Sequence, residues 1–511
     1  MVERVRCPLR LASLFSLAAT MVLVSCGRES SSVDPTDDAG ADSTTVDAAP
    51  EVDASVDSLV EVLDTGGADT HESGPPDEGV DAPLMPGQLY RGLVTLVGVT
   101  SDDFAIVTDP ASDALLAIPL AGGVAQAIDV GSSAQILSGK VVFSFKALDA
   151  TSTVGTLTVW SASTGSKELS KTAVYSVDTA ASVDGSTILY VDNLDASRAH
   201  VDLMFARSDG SARKAIAAGS PFGSGCILDD PRPIGAQIIV ALCAGKTQQS
   251  LHVIDVATGS DRFLTGARSG WSVDDAGKLL FAVDDVSRDG KVVAVDGSSR
   301  VTIESADAKR GVLTRDGTQV LLSTTTDALK LSPTSTGAPA ALGLTGSFFS
   351  ILSPDSRSFV FWKAFGPTGV TTDLYLAPVA APATAIALSA EPTSGNVADL
   401  FTRDSRFALY LTNVDDTFTG QLRAMPVAGG AAISLGTGAV RAARALTGSF
   451  VAYVEVAASA IFVVDAATGK GAKSIADSSD GNVFTSHARD RVVFTRSDDG
   501  TKEGLYALPA P

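Results

Sequence analysis

Beyond Leu84 the chain is written in apolar runs of about five to seven residues, rich in Val, Leu, Ile, Ala and Phe, between polar turns such as Asp-Gly, Ser-Asp, Thr-Gly and Gly-Gly. Runs of that length and β-branched content predict strands, and hardly any stretch sustains the 3.6-residue period of a helix. Two pieces alternate. The first is a turn leading into an apolar strand, as in "SVDGSTILYVD", "TRDGTQVLLS", "SPDSRSFVFW" and "TRDSRFALYLTN". The second follows after a variable loop, as in "LLAIPLAGG", "LHVIDVATG", "LRAMPVAGG" and "IFVVDAATG".

The leading strands start at Phe104, Val141, Ile188, Ile238, Leu279, Val320, Phe359, Phe407, Phe450 and Val492, with a mean separation close to 43 residues. That period accommodates four short antiparallel strands with their turns, which is the blade of a β-propeller. The predicted fold class is therefore all-β, a propeller of four-stranded blades with about ten repeat units. Ten exceeds the usual four to eight blades of one ring, so the expectation is either one large ring or two adjacent rings. The strand material of "LYRGLVTLVGV" precedes the first unit, and the last unit stops after its second recognisable strand. The N-terminal strand is thus expected to complete the last blade and remove an exposed edge. Aspartates at Asp184-Gly185, Asp316-Gly317, Asp355-Ser356 and Asp404-Ser405 read as turn formers rather than catalytic groups.

The first 84 residues have a different composition. Arg4, Arg6 and Arg10 precede a nearly uninterrupted apolar or small run from Leu11 to Val24, the pattern of an export signal. From Gly27 to Asp81 there are sixteen acidic residues and one basic residue, with no aromatic residue. Such a segment buries too little apolar surface to offset the entropy of ordering, so a disordered, self-repelling tether is expected over 26–84. Residues 82–511 carry 42 acidic and 34 basic residues, an ordinary balance for a domain of that size. With no basic patch in a net acidic chain, nucleic acid is not an expected partner.

The order Leu23, Val24, Ser25, Cys26 resembles the lipobox of bacterial lipoproteins. That resemblance implies cleavage of a signal peptide over residues 1–25 and acylation of Cys26, which makes the lipid bilayer the first expected partner. Several acyl chains anchor firmly because each buried methylene contributes about 0.8 kcal/mol. Gly27 stands where the family's inner-membrane retention signal has aspartate, so the resemblance favours the outer membrane, on either of its sides. The alternating pieces over about 95–511 resemble the WD40-like repeats of the TolB family, most closely at Ser353, Pro354, Asp355 and Ser356 with Asp373, Leu374, Tyr375 and Leu376. This implies a propeller architecture and an envelope setting.

Cys226 and Cys243 bracket "CILDDPRPIGAQIIVALC", whose Pro-rich centre turns the chain between two strands. Residues symmetric about that centre face one another near disulfide distance, so an exported compartment predicts a Cys226–Cys243 disulfide, with two buried thiols as the alternative. Of the four histidines, His71 lies in the tether, and His200, His252 and His487 sit in separate repeats with no metal-ligand pattern. No Gly-x-Ser-x-Gly elbow or phosphate-binding loop occurs. Asp192, Asp195, Asp284 and Asp285 lie in Asp-rich loops that offer oxygens to calcium but lack the full ligand series, so solvated hairpins are expected. No catalytic residue, metal or cofactor is predicted. The expected function is a non-enzymatic envelope scaffold that binds a protein or glycan; the alternatives are a polymer hydrolase or lyase with a site assembled from propeller loops, and a purely structural envelope component.

Overall fold

The computed structural model describes residues 84–510 apart from 132, 150–151, 176–178, 199, 222–228, 243–249, 267–268, 285, 346, 366–371, 390–392, 395–396, 416, 437, 471, 477–481 and 498–501. Cys26, Cys226, Cys243 and Asp285 lie outside the described residues.

Each blade is a four-stranded antiparallel sheet, and in blades 1 to 9 neighbouring strands follow chain order. Blade 1 consists of Thr95–Val99, Phe104–Asp109, Ala114–Pro119 and Gln126–Val130. All ten leading strands read from the sequence are second strands of successive blades. Blades 2 and 3, and blades 7 and 8, are further joined by single bridges, Ala173 to Asp192 and Thr372 to Thr393. One 3-10 turn, Pro382–Thr384, is the only helix among the described residues.

The apolar runs of the second and third strands are nearly continuous because these strands are covered on both faces. In blade 4, Ile238, Val240 and Ile254 pack toward blade 3, while Ile239, Ala241, Leu251 and Val253 pack toward blade 5. Alternation thus divides one run between two neighbours. Such clusters join every consecutive pair of blades, and the last joins Val493, Leu505 and Ala507 of blade 10 to Leu96, Val107 and Ile118 of blade 1. Among the described residues no cluster joins blades that are not neighbours in this order. The order closes on itself once, which makes one ring of ten blades and decides between the two arrangements left open by the spacing.

Closure is made by Gln88–Arg91, which pairs with Gly504–Pro509 as the outermost strand of blade 10. The Gln88 side chain donates to the Glu503 carbonyl at 2.9 Å. Gly504 is required here: its φ is +144°, and a Cβ would stand 2.0 Å from the Tyr90 carbonyl oxygen.

Four of the turns between first and second strands, in blades 3, 6, 7 and 8, share one construction. Thr314 Oγ1 donates to Asp316 Oδ1 at 2.6 Å, the Thr318 amide donates to the same oxygen at 3.1 Å, and Gly317 takes φ +67°. Ser182 with Asp184, Ser353 with Asp355 and Thr402 with Asp404 repeat the 2.6 Å hydroxyl bond. Ser356 and Ser405 occupy the glycine position at φ +57° and +61°. Their hydroxyls accept from the preceding blade's turn, at Arg315 N (3.1 Å) and Asp355 N (3.0 Å). The serines therefore exchange backbone ease for a bond between blades.

Candidate functional site

The turn aspartates are committed to their own turns. The Thr314 hydroxyl, aided by the Thr318 amide, holds the Asp316 carboxyl below the usual carboxylate range. At Asp184 and Asp355 burial acts in the opposite sense, and hydrogen bonds from Ser182 and Ser186 or from Ser353 and Arg357 outweigh it. A carboxylate lowered this way is a poor proton carrier near neutral pH.

The Asp-rich loops are equally occupied. Asp192 is fully buried, accepts from Thr172 Oγ1 at 2.8 Å and pairs with Arg213. Asp195 accepts from Ser197 Oγ at 2.8 Å and meets His200 Nδ1 at 3.1 Å. Asp284 accepts from the amides of Val286 and Ser287, both at 3.0 Å, and faces Lys291. Among the described residues no three His, Cys, Asp or Glu side chains converge as a metal site.

Among the described residues, two further constellations join charged or titratable groups from different strands or blades. The first spans blades 8, 9 and 10. Arg489, at φ +58° in the first turn of blade 10, grips Asp399 of blade 8 with Nη1 to Oδ2 at 2.8 Å and Nη2 to Oδ1 at 3.2 Å. The same pair brackets the peptide of blade 9's first strand: Ala445 N donates to Asp399 at 3.0 Å, and Ala445 O accepts from Arg489 at 2.7 Å. Beside it Arg444, also on the first strand of blade 9, lays its guanidinium 5.6 Å from the centroid of Phe484 in blade 10. Burial lowers the pKa of Arg444, Asp399 raises it, and the neighbouring Arg489 lowers it. The Arg444 guanidinium meets no hydrogen-bond acceptor among the described residues. Two guanidiniums thus face one carboxylate, leaving a local surplus of positive charge in an acidic protein.

The second constellation lies on the outer half of blade 4. The third strand, Ser250–Asp255, places Ser250, His252 and Ile254 on one face, and the fourth strand sets Asp261 opposite Ile254 on that face. His252, 5% exposed, meets Asp261 Oδ1 through Nδ1 at 2.7 Å and Ser250 Oγ through Nε2 at 2.8 Å. Phe263 stands edge-on to the imidazole at 5.8 Å. His252 is the strand-face residue that its sequence position implies, but its two partners come from strand alternation and hairpin pairing. The legible trace is Ser-x-His on one strand and Asp at the head of the next. His487 lies in the first turn of blade 10, where its amide donates to Asp103 of blade 1 at 3.1 Å.

No known family profile matches the chain, and no curated protein matches it in sequence. Solved structures similar to it include a eukaryotic initiation factor, at 11% identity over 75% of this chain and 88% of that one, with TM-score 0.44. TolB from Acinetobacter baumannii is 14% identical over 58% of this chain and 76% of its own, with TM-score 0.29. An oligogalacturonate lyase in complex with manganese is 11% identical over 73% and 97%, with TM-score 0.34. The propeller assignment rests on this chain's own strand pairing and closed order of blades.

Proposed function

We propose that the protein is an exported, lipid-anchored scaffold presenting its ten-bladed ring to an acidic protein or glycan of the cell envelope. The observation that carries the reading is Arg444: a half-buried guanidinium held against Phe484, with Arg489 already engaged by Asp399. A partner carboxylate would supply an acceptor to Arg444, which meets none among the described residues. The Leu23–Cys26 pattern supports acylation at Cys26, and the acidic stretch 27–81 supports a tether that repels an anionic bilayer and lets the ring search. Pairing of Asp229 with Ala241 brings together the strands that lead toward Cys226 and Cys243, which supports the proposed disulfide between them.

Crosslinking in intact envelopes, followed by affinity capture, tests the reading. The wild type should recover a reproducible acidic partner, and Arg444→Gln should reduce that recovery about tenfold or more. Equal recovery by Arg444→Gln would reject the site, and no recovery by the wild type would reject the scaffold. Cys26→Ser should abolish fatty-acid labelling; unchanged labelling would reject the anchor. One observation favours the alternative of a hydrolase, the hydrogen-bonded chain in blade 4.

A further inference from the structure

We propose that Ser250, His252 and Asp261 form a nucleophilic relay that cleaves carboxylic esters with an apolar portion. The chain of contacts has one consistent protonation pattern at neutral His252. An ionised Asp261 can only accept, so Nδ1 of His252 carries the proton and donates to Oδ1 across 2.7 Å. Nε2 is then the lone-pair nitrogen, and the Ser250 hydroxyl must donate to it across 2.8 Å. A competing acceptor, the Leu242 carbonyl, is farther from Ser250 Oγ at 3.3 Å. This is the polarity that a serine nucleophile needs: base at the hydroxyl, carboxylate behind the base.

Packing fixes the base and leaves both ends accessible. His252 is buried, whereas Asp261 keeps 30% of its side chain exposed and Ser250 is half-buried. Phe263 is 57% exposed although it shares the sheet face of the imidazole. In a ring whose aromatic side chains are mostly interior, a large exposed phenyl beside the relay offers an apolar seat for the acyl or alcohol part of a substrate.

The step balances without a further reactant except water. Ser250 Oγ bonds to the ester carbonyl carbon while its proton passes to His252 Nε2; collapse breaks the carbon–oxygen bond to the alcohol, which leaves with that proton. Water then attacks the acyl-serine, gives a proton to His252, and releases the acid as that proton returns to Ser250 Oγ. Asp261 holds the tautomer and stabilises the transient imidazolium.

The inference is independent of the scaffold reading. The probe is a fluorophosphonate applied to the intact folded protein, with fragment sequencing of tryptic peptide 247–262, which contains Ser250 and Ser260. The expected result is one phosphonyl group on Ser250, none in Ser250→Ala, and labelling slowed about 100-fold in His252→Gln. Asp261→Asn should slow labelling less, and Phe263→Ala should slow hydrolysis of nitrophenyl butyrate more than of nitrophenyl acetate. Melting curves establish that each variant is folded. No labelling of the wild type, labelling on Ser260, or equal labelling after unfolding in urea would overturn the relay. Partner recovery unchanged in Ser250→Ala separates its failure from that of the scaffold.

Discussion

The turn from Thr314 to Gln319 and the clamp on Asp399 both hold an aspartate, yet one closes within five residues and the other reaches ninety positions along the chain. In the turn, hydroxyl, carboxylate and amides satisfy each other and leave nothing for a partner. In the clamp, carboxylate and guanidinium tie three blades together and leave Arg444 beside them with no acceptor among the described residues. Local closure builds the repeat, whereas closure over distance builds the ring and its chemistry.

The comparison breaks most severely at the longest separation. Gly504→Ala forces a Cβ against the Tyr90 carbonyl at a φ of +144°, so we expect a loss of roughly 3 kcal/mol or more in urea unfolding and an exposed edge prone to aggregation. An unchanged midpoint would mean that Gln88–Arg91 does not clasp the ring. Next is Asp399→Ala, which strands Arg489 and the Ala445 amide. Each side chain of the pair sees about a fifth of its surface in solvent, so the cost should be about 2–3 kcal/mol, toward the lower end for buried pairs. The same titration measures it.

A turn aspartate should cost less. Asp316→Ala removes bonds to Thr314 and Thr318, with an expected loss of about 1–2 kcal/mol at pH 7. The folded pKa of Asp316 is lowered, so its contribution is present above the unfolded value of about 3.9 and is lost as pH falls through the folded value. The gap between wild type and variant should therefore close in strong acid. Smallest is Ser405→Gly, where relief of the backbone at φ +61° opposes loss of the acceptor for Asp355 N. The net change should lie within about 0.5 kcal/mol, while Ser405→Ala, which keeps the backbone penalty, should lose about 1 kcal/mol.

Local features were legible in advance. The ten leading strands and the turn role of Asp184, Asp316, Asp355 and Asp404 follow from apolar runs and turn chemistry, because both are settled within a few residues. The closing strand was legible too, since an unpaired N-terminal run and a truncated last unit imply each other. The number of rings was not, because the spacing of blades carries no information about which blades meet. Ser356 and Ser405 read as weakened glycines until the neighbouring turn is placed against their hydroxyls. His252 looked isolated because Asp261 reaches it through strand register, and Arg444 drew no notice because Phe484 lies forty residues on.

Hydrogen exchange of residues 88–91 in the intact protein tests the single closed ring most directly. The account predicts that their amides are protected and open only with the segment 504–509 and the interior blades, in one cooperative unit. Exchange at the rate of free peptide, or separate opening of blades 1–5 and 6–10, would contradict it.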